Sequence, residues 1–304
     1  MLGISILLLT KDGCPDIERL LEALCRQEEN KSFEVIAVDS GSTDGTLEVL
    51  RRFPVRVERI PPETFHHSRT RNFAASLAKG EILVFLSQDA VPASDDWLRT
   101  MISNFNDPAV GAVYGRQFPK PGSSLERQDV LDTVYGTQRV VKDPAHRNGS
   151  GYRFYHFSDV NAAIRRSVWK TVRFPEELRV FEDLGMAKRI LDHGWKIVYE
   201  PGAAVYHSHT HTTVDLFKRY FDIGYTLKIL EIWDTPGIRK SLLRDGWRLL
   251  TSKARRVGDW QSVRSTSEGI QQDIAKWLGL FLGLNQGYLP RVLKRRLSAF
   301  GVIE

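Results

Sequence analysis

The chain has 304 residues, 42% of them hydrophobic, and a formal net charge of +6. That supports a substantial core, as one large domain or one domain with an appendage, and no uninterrupted apolar run approaches the ~20 residues of a transmembrane helix. Two cysteines, Cys14 and Cys25, exclude a disulfide framework and offer no metal-binding spacing, so a reducing, cytoplasmic setting is expected.

Met1 leads directly into an apolar stretch without the basic start or small-residue cleavage site of a leader peptide. Gly3 to Thr10 predicts a buried strand. A helix follows from Pro15 to about Gln27, with Ile17, Leu20, Leu21 and Leu24 on one face. Phe33 to Val38 predicts a second buried strand, leading into Asp39-Ser40-Gly41-Ser42-Thr43-Asp44-Gly45-Thr46, a run suited to turning the chain and capping a helix. Val55 to Ile60 alternates as a third strand. Ile82 to Leu86, bounded by Gly80 and Pro92, reads as a parallel strand covered on both faces. A helix follows from Ser94 to about Phe105. Strands alternating with helices of this length predict a parallel sheet of βαβ units, which bind ligands beyond the carboxyl ends of their strands.

Beyond Val110 the pattern loosens. Val110 to Phe118 fits a strand, and Pro119 to Ser150 is a polar stretch suited to a loop or lid. Asp159 to Trp169 reads as strand into helix, and Phe181-Glu182-Asp183-Leu184 opens an amphipathic helix closed by Gly194. Lys196 to Tyr199 is another strand, followed by His207, His209 and His211 at alternate spacing, one face of a strand. Several helices follow from about Val214.

Five groups in this layout carry chemistry. Asp39, at a strand exit, can accept a hydrogen bond from an imide N–H of a nucleotide base, or it and Ser42 can simply cap the turn. Asp89, just past Leu86, suits a divalent cation on a diphosphate, or is a turn residue. Arg69 and Arg71, at a helix start, suit phosphate oxygens or a solvated face. Glu182 and Asp183 suit a general base or ordinary helix capping. His207 suits one metal contact better than the three histidines suit a zinc site. No G-x-G-x-x-G is present, which argues against a dinucleotide fold.

Together, ISILLLTKDG, EVIAVDSGSTDGT, TRNFAASLAKGEILVFLSQDAVP, NAAIRRSVW and FEDLGMAKRILDHGWKIVYEPGAAVYHSH resemble the family 2 glycosyltransferases, in that family's order and across most of residues 4–210. The segment from Phe65 to Asn72 and the Gln88-Asp89-Ala90 motif are most similar to the bacterial rhamnosyltransferase branch. The resemblance implies a GT-A type Rossmann-like, mostly parallel sheet flanked by helices, over residues 1–213, and inverting transfer of a sugar, L-rhamnose from dTDP-rhamnose among the candidates. The donor would be a dTDP- or UDP-linked sugar, and the acceptor a hydroxyl of a surface glycan or lipid-linked saccharide. Thr10, Asp39, Asp44, Arg71, Gln88 and Asp89 would bind the nucleotide sugar. Asp89 and His207 would hold Mn2+ or Mg2+, and Asp183, with Glu182 beside it, would be the general base. The acceptor would meet the Asp159–Asn161 region and the Pro119–Gly151 loop. One departure stands out: the family's Asp-any-Asp is Ser87-Gln88-Asp89 here, and the missing carboxylate keeps a non-catalytic nucleotide-sugar-binding or scaffold protein as the alternative.

Residues 214–304 lie outside the resemblance. From residue 228 onward, fourteen Lys and Arg stand against seven Asp and Glu, so this stretch carries +7 and the rest of the chain −1. The basicity belongs to a helical extension, and nucleic acid is not expected. Leu242–Leu250, Ala275–Leu284 and Arg291–Arg296 mix apolar and basic character. Two readings stay open: an anionic membrane surface on the inner face of the cell, or packing on the core or a homo-oligomer.

Overall fold

The computed structural model describes residues 3–27, 33–123, 134–146, 154–209, 211–232 and 260–300, with side chains in the last segment from 269 onward. The chain divides into two compact units. The first comprises residues 1–146, 157–176 and 182–208; the second comprises 147–156, 177–181 and 209–304.

The first unit is built on one sheet: β1 (Ile4–Thr10), β2 (Phe33–Asp39), β3 (Val55–Arg59), β4 (Ile82–Ser87), β5 (Val91–Pro92), β6 (Val110–Phe118), β7 (Val140–Lys142), β8 (Asn161–Arg165) and β9 (Lys196–Tyr206). The order is β3-β2-β1-β4-β8-β6-β9-β5, with β7 also pairing β9. The β3-β2-β1-β4 half is parallel, as the sequence pattern requires. The other half is mixed. β8 runs antiparallel to both β4 and β6, and β6 lies parallel to β9.

The parallel half is buried on both faces. Ile6, Leu8, Ile36, Ile82, Leu83 and Val84 are wholly inaccessible, and each large side chain so buried contributes about 1.5–3 kcal/mol. The crossovers are α1 (Asp16–Cys25), α2 (Thr46–Arg51) and α3 (His67–Leu77); α4 (Trp97–Ser103), α5 (Arg166–Val172) and α6 (Glu182–Asp192) complete the unit. The apolar face of α1, Ile17, Leu20, Leu21 and Leu24, enters the main core. Register aligns the carboxyl ends of the central strands: Thr10 stands opposite Asp39, and Leu9 opposite Ser87.

Strand β9 is longer than the Lys196–Tyr199 segment the sequence suggests, continuing through Pro201-Gly202 to Tyr206. A register shift opposite Gly115 and Gln117 absorbs the irregularity. Gly115 permits it, since a Cβ there would lie 1.8 Å from the Ala203 carbonyl oxygen. The strand ends at Tyr206, so His207, His209 and His211 do not share a strand face; His207 lies in the first unit and the other two in the second.

In the second unit, α7 (Thr213–Ile229) opens with a capping box between Thr212 and Asp215 and packs on α8 (Trp260–Leu284), followed by α9 (Arg291–Leu297). The contact between α7 and α8 is backbone to backbone. A Cβ on Gly224, Gly279 or Gly283 would lie 2.4, 2.2 or 2.1 Å from the Leu280, Phe217 or Phe221 carbonyl oxygen. On α8, Ile274, Trp277, Leu278 and Phe281 are exposed at helical spacing. Among the described residues no helix is long and apolar enough to cross a membrane. The Leu242–Leu250 stretch and parts of the Pro119–Gly151 loop, 124–133 and 147–151, lie outside the described residues.

Candidate functional site

The site residues gather where β1, β2 and β4 end. Asp39 is wholly buried. Its Oδ1 accepts from the Gly41 and Ser42 backbone N–H groups at 3.0 and 3.1 Å. Its Oδ2 accepts from Thr10 Oγ1 at 3.1 Å and from the Ser42 hydroxyl. Four donors fill the lone-pair positions of one carboxylate, so Asp39 and Thr10 together hold the turn into α2. Asp44 does similar work one loop further on, accepting from Cys14 N at 2.9 Å and Thr46 Oγ1 at 2.6 Å. The Thr46 bond, helped by the Cys14 N–H, lowers its pKa against the opposing effect of burial.

Gln88 faces β1. Its amide accepts from Lys11 N and donates to Lys11 O, both at 2.9 Å. Asp89 follows, with Oδ1 3.5 Å from His207 Nε2 and Oδ2 3.1 Å from Lys120 Nζ. The Lys120 ammonium also donates to Asp16 Oδ2 at 2.7 Å. Burial opposes its charge, but the hydrogen bond to Asp16 and the attraction of Asp89 outweigh burial and raise its pKa.

His207 is oriented from behind. Its Nδ1 lies 3.0 Å from Gln117 Oε1, while Gln117 Nε2 donates to Tyr135 Oη at 2.6 Å and Ser158 Oγ at 2.9 Å. With the amide nitrogen on the two hydroxyls, the amide oxygen accepts from Nδ1–H. Nε2, 3.5 Å from Asp89 Oδ1, is a lone pair in the neutral ring and a second donor in the imidazolium, so the same geometry serves a cation held between the two side chains or a direct ion pair. A ligating histidine whose second nitrogen donates to a fixed acceptor is the usual arrangement at metal sites.

The second cluster is acidic. Arg71, on the first turns of α3, places Nε 2.7 Å from Asp159 Oδ2 and donates from Nη2 to Oδ1 at 3.0 Å. Its Nη1 reaches Glu182 Oε1 at 2.5 Å and His67 Nδ1 at 3.2 Å. Burial opposes the guanidinium charge, and Asp159, Glu182 and Asp183 more than offset it, so its pKa is raised. The guanidinium is thus spent on carboxylates, not directed at the Asp89 end of the site. Arg69 is exposed, 3.6 Å from Glu176.

Asp183 starts α6 beside Glu182 and accepts from Leu184 N at 2.7 Å. Burial, then the nearby Asp159 and Glu182 charges, hold its pKa well above the ordinary value. Asp159 is pushed up to about 6, by burial against the opposing pull of Arg71. A partly exposed carboxylate with a raised pKa beside a pinned acid–arginine pair is suited to taking a proton. Asn161, expected near an acceptor, is wholly buried; it bonds Trp97 Nε1 at 3.0 Å and the Ala203 carbonyl at 2.8 Å, a structural part instead.

Sequence pattern missed Gln117, Lys120 and Asp16. Gln117 and Lys120 sit at the end of β6 and just beyond it, and only their meeting with residues 16, 89 and 207 in space gives them meaning.

A family model described as Glycosyl transferase family 2 matches residues 5–173. Over 201 residues, 66% of this chain, the sequence is 36% identical to the O-antigen chain rhamnosyltransferase WbaN of Salmonella anatum. Over 194 residues it is 34% identical to the O-antigen chain rhamnosyltransferase RfbN of Salmonella typhimurium. The matches span 64% and 62% of those relatives' own lengths, just under two thirds. The fold is shared with the mannosyltransferase PcManGT from Pyrobaculum calidifontis in complex with GDP-Man and Mn2+. The TM-score is 0.64 at 18% identity, covering 93% of this chain and 87% of that one.

Proposed function

The chain belongs to glycosyl transferase family 2, and from that premise we propose that it transfers a sugar, with inversion, from a nucleoside diphosphate to a hydroxyl of a bacterial surface-glycan precursor. L-rhamnose carried by dTDP is the favoured donor, on the likeness to the two O-antigen rhamnosyltransferases. The observation that carries the reading is the paired arrangement of Asp89 with His207 and of Asp183 with its acidic neighbours, both in the first unit.

In this reading Asp89 and His207 would hold a divalent cation. The donor set fits Mn2+ better than Mg2+, since imidazole suits the softer ion, and the Gln117 oxygen that holds Nδ1 and leaves Nε2 facing Asp89 supports that fit. When bound, such an ion neutralises charge on the departing diphosphate. Asp183 takes the proton of the acceptor hydroxyl as its oxygen attacks the anomeric carbon from the face opposite the leaving group. The C–O bond to the diphosphate breaks as the new C–O bond forms, and one base suffices. Arg71 and Glu182 position that base. Thr10, Asp39, Asp44 and Gln88 hold the turns on which the nucleotide would rest.

The alternative, a nucleotide-sugar binder without turnover, draws on Ser87 in place of a carboxylate. The placement of Asp183, partly exposed at the start of α6 beside the Arg71–Glu182–Asp159 ion pairs, favours the enzyme, because it leaves one carboxylate of the cluster able to meet an acceptor hydroxyl. The exposed Ile274, Trp277, Leu278 and Phe281 on α8 and the basic α9 support peripheral contact with an anionic membrane, where a lipid-linked acceptor would reside.

The direct test screens dTDP, UDP, GDP and their sugars by thermal shift with Mn2+, then measures nucleoside diphosphate release with a lipid-linked saccharide acceptor. Stabilisation by dTDP-rhamnose and acceptor-dependent release are expected. Binding without release by any donor would favour the alternative.

A further inference from the structure

Lys120 is a cation standing where the preceding reading puts a metal. It lies two residues beyond β6, its backbone N–H donates to Ser208 Oγ at 3.2 Å, and its ammonium is shared between Asp16 at 2.7 Å and Asp89 at 3.1 Å. Its side chain is 27% exposed, so it is neither sealed in the core nor loose on the surface. Asp89 is thereby engaged at Oδ2 by Lys120, and its Oδ1 lies 3.5 Å from His207 Nε2. A divalent ion held by Asp89 and His207 would sit within a few ångströms of a fixed positive charge.

The local charges sharpen the point. Asp16, Asp89 and Lys120 sum to −1, and Ser87 supplies nothing where a carboxylate is usual. A lone dication there meets the Asp89 carboxylate together with a repelling ammonium 3.1 Å from it. A nucleoside diphosphate changes both terms, because its oxygens add ligands for the ion and a stronger partner for the ammonium.

We propose that Lys120 is the resident counter-ion of the donor site: it neutralises Asp89 while no nucleotide is bound, holds off divalent cations, and passes its ammonium to the donor's diphosphate on binding. The proposal rests on the donor-site reading above. It makes metal and nucleotide bind together instead of metal first, and it makes Lys120 a positioning residue for the leaving group.

The test is Mn2+ binding to the full chain, followed by the electron paramagnetic resonance signal of free Mn2+, with and without dTDP or UDP. Wild-type protein should bind Mn2+ weakly alone and at least about tenfold more tightly with nucleotide, a shift of the size that removing one close charge produces. Lys120→Met should bind Mn2+ alone about tenfold more tightly than wild type and bind nucleotide less tightly in chelator. Equal Mn2+ affinity in Lys120→Met and wild type, both undetectable included, overturns the proposal. Mn2+ binding that survives Asp89→Asn overturns the metal assignment and this proposal together. Its loss in Asp89→Asn with no gain in Lys120→Met overturns this proposal alone. Should Lys120→Met fail to fold, Asp16→Asn leaves the ammonium resting on Asp89 only. Mn2+ affinity should then fall, and a rise overturns the proposal.

Discussion

Arg71 grips Asp159 with two nitrogens, 2.7 Å from one carboxylate oxygen and 3.0 Å from the other, and the pair is almost sealed from solvent. This changes what the arginine is for. A guanidinium at the start of α3 looks, in sequence, like a phosphate ligand; in the fold it compensates buried acids. Arg71→Gln should therefore destabilise the protein by about 3–5 kcal/mol, because removing one partner leaves buried charge unpaired. In a thermal melt that is a fall in Tm of roughly 6–20 °C. Nucleotide affinity, measured by calorimetric titration below the melt, should change little. Normal stability with lost nucleotide affinity would return Arg71 to the phosphate role.

Asp183→Asn should abolish transfer and leave nucleotide binding nearly intact, since the amide keeps the shape and loses the basicity. The raised Asp183 pKa sets a direction in pH. A base must be unprotonated, so kcat/KM should rise with pH, its acid limb lying above the ordinary aspartate range. Stability should run the other way. Asp159 is pushed up from 3.8 to about 6 in the fold, so between those values the folded protein holds a proton that the unfolded chain has lost. Its contribution is present below pH 3.8 and is lost as pH rises through about 6. Melts and rates across pH 4–8 check both signs.

Gln117→Leu should weaken Mn2+ binding, in the presence of nucleotide, by roughly 10–100-fold, the usual penalty for removing a group that orients a ligating histidine. His207→Ala should weaken it at least as much. Calorimetry with a circular-dichroism check of folding separates the effect from collapse. Unchanged Mn2+ affinity in His207→Ala would take the histidine out of the metal role.

The helical unit should co-sediment with vesicles containing anionic lipid and detach at high salt, where screening shortens the reach of Arg291, Lys294, Arg295 and Arg296. Trp277→Ser with Phe281→Ser, which removes two stacked and exposed rings, should lower retention even at low salt. Retention unaffected by both changes would point to a different use of this face.

Sequence carried the parallel half of the sheet because β1, β2 and β4 are short apolar runs with nothing exposed, a pattern few other elements produce. It also carried α6 from Glu182 to Asp192, since its period is clean and Gly194, at φ +89, ends it. It lost β9 at Pro201-Gly202, where strand signals normally stop, because the compensating shift lies across the sheet at Gly115. It lost β5 and β7 because two or three residues carry no period. The acids of the candidate site were visible individually. Their partners were not: which carboxylate Arg71 serves depends on residues 88 and 111 positions away, and no local spacing encodes that.

Gln88 has a consequence for how the donor end of the protein behaves. Strands β1 and β4 exchange their last backbone pairing at Leu9 and Ser87, yet the Gln88 amide bonds both the N–H and the C=O of Lys11. A side chain has imitated one more rung of the ladder. The chain therefore leaves the sheet one step later than its backbone alone would allow, and the residue that follows, Asp89, starts from a fixed point. A glutamate at 88 would face the Lys11 carbonyl with a second acceptor and break half of that rung. Subtle drift of Asp89, not loss of its charge, is how such a change would be felt.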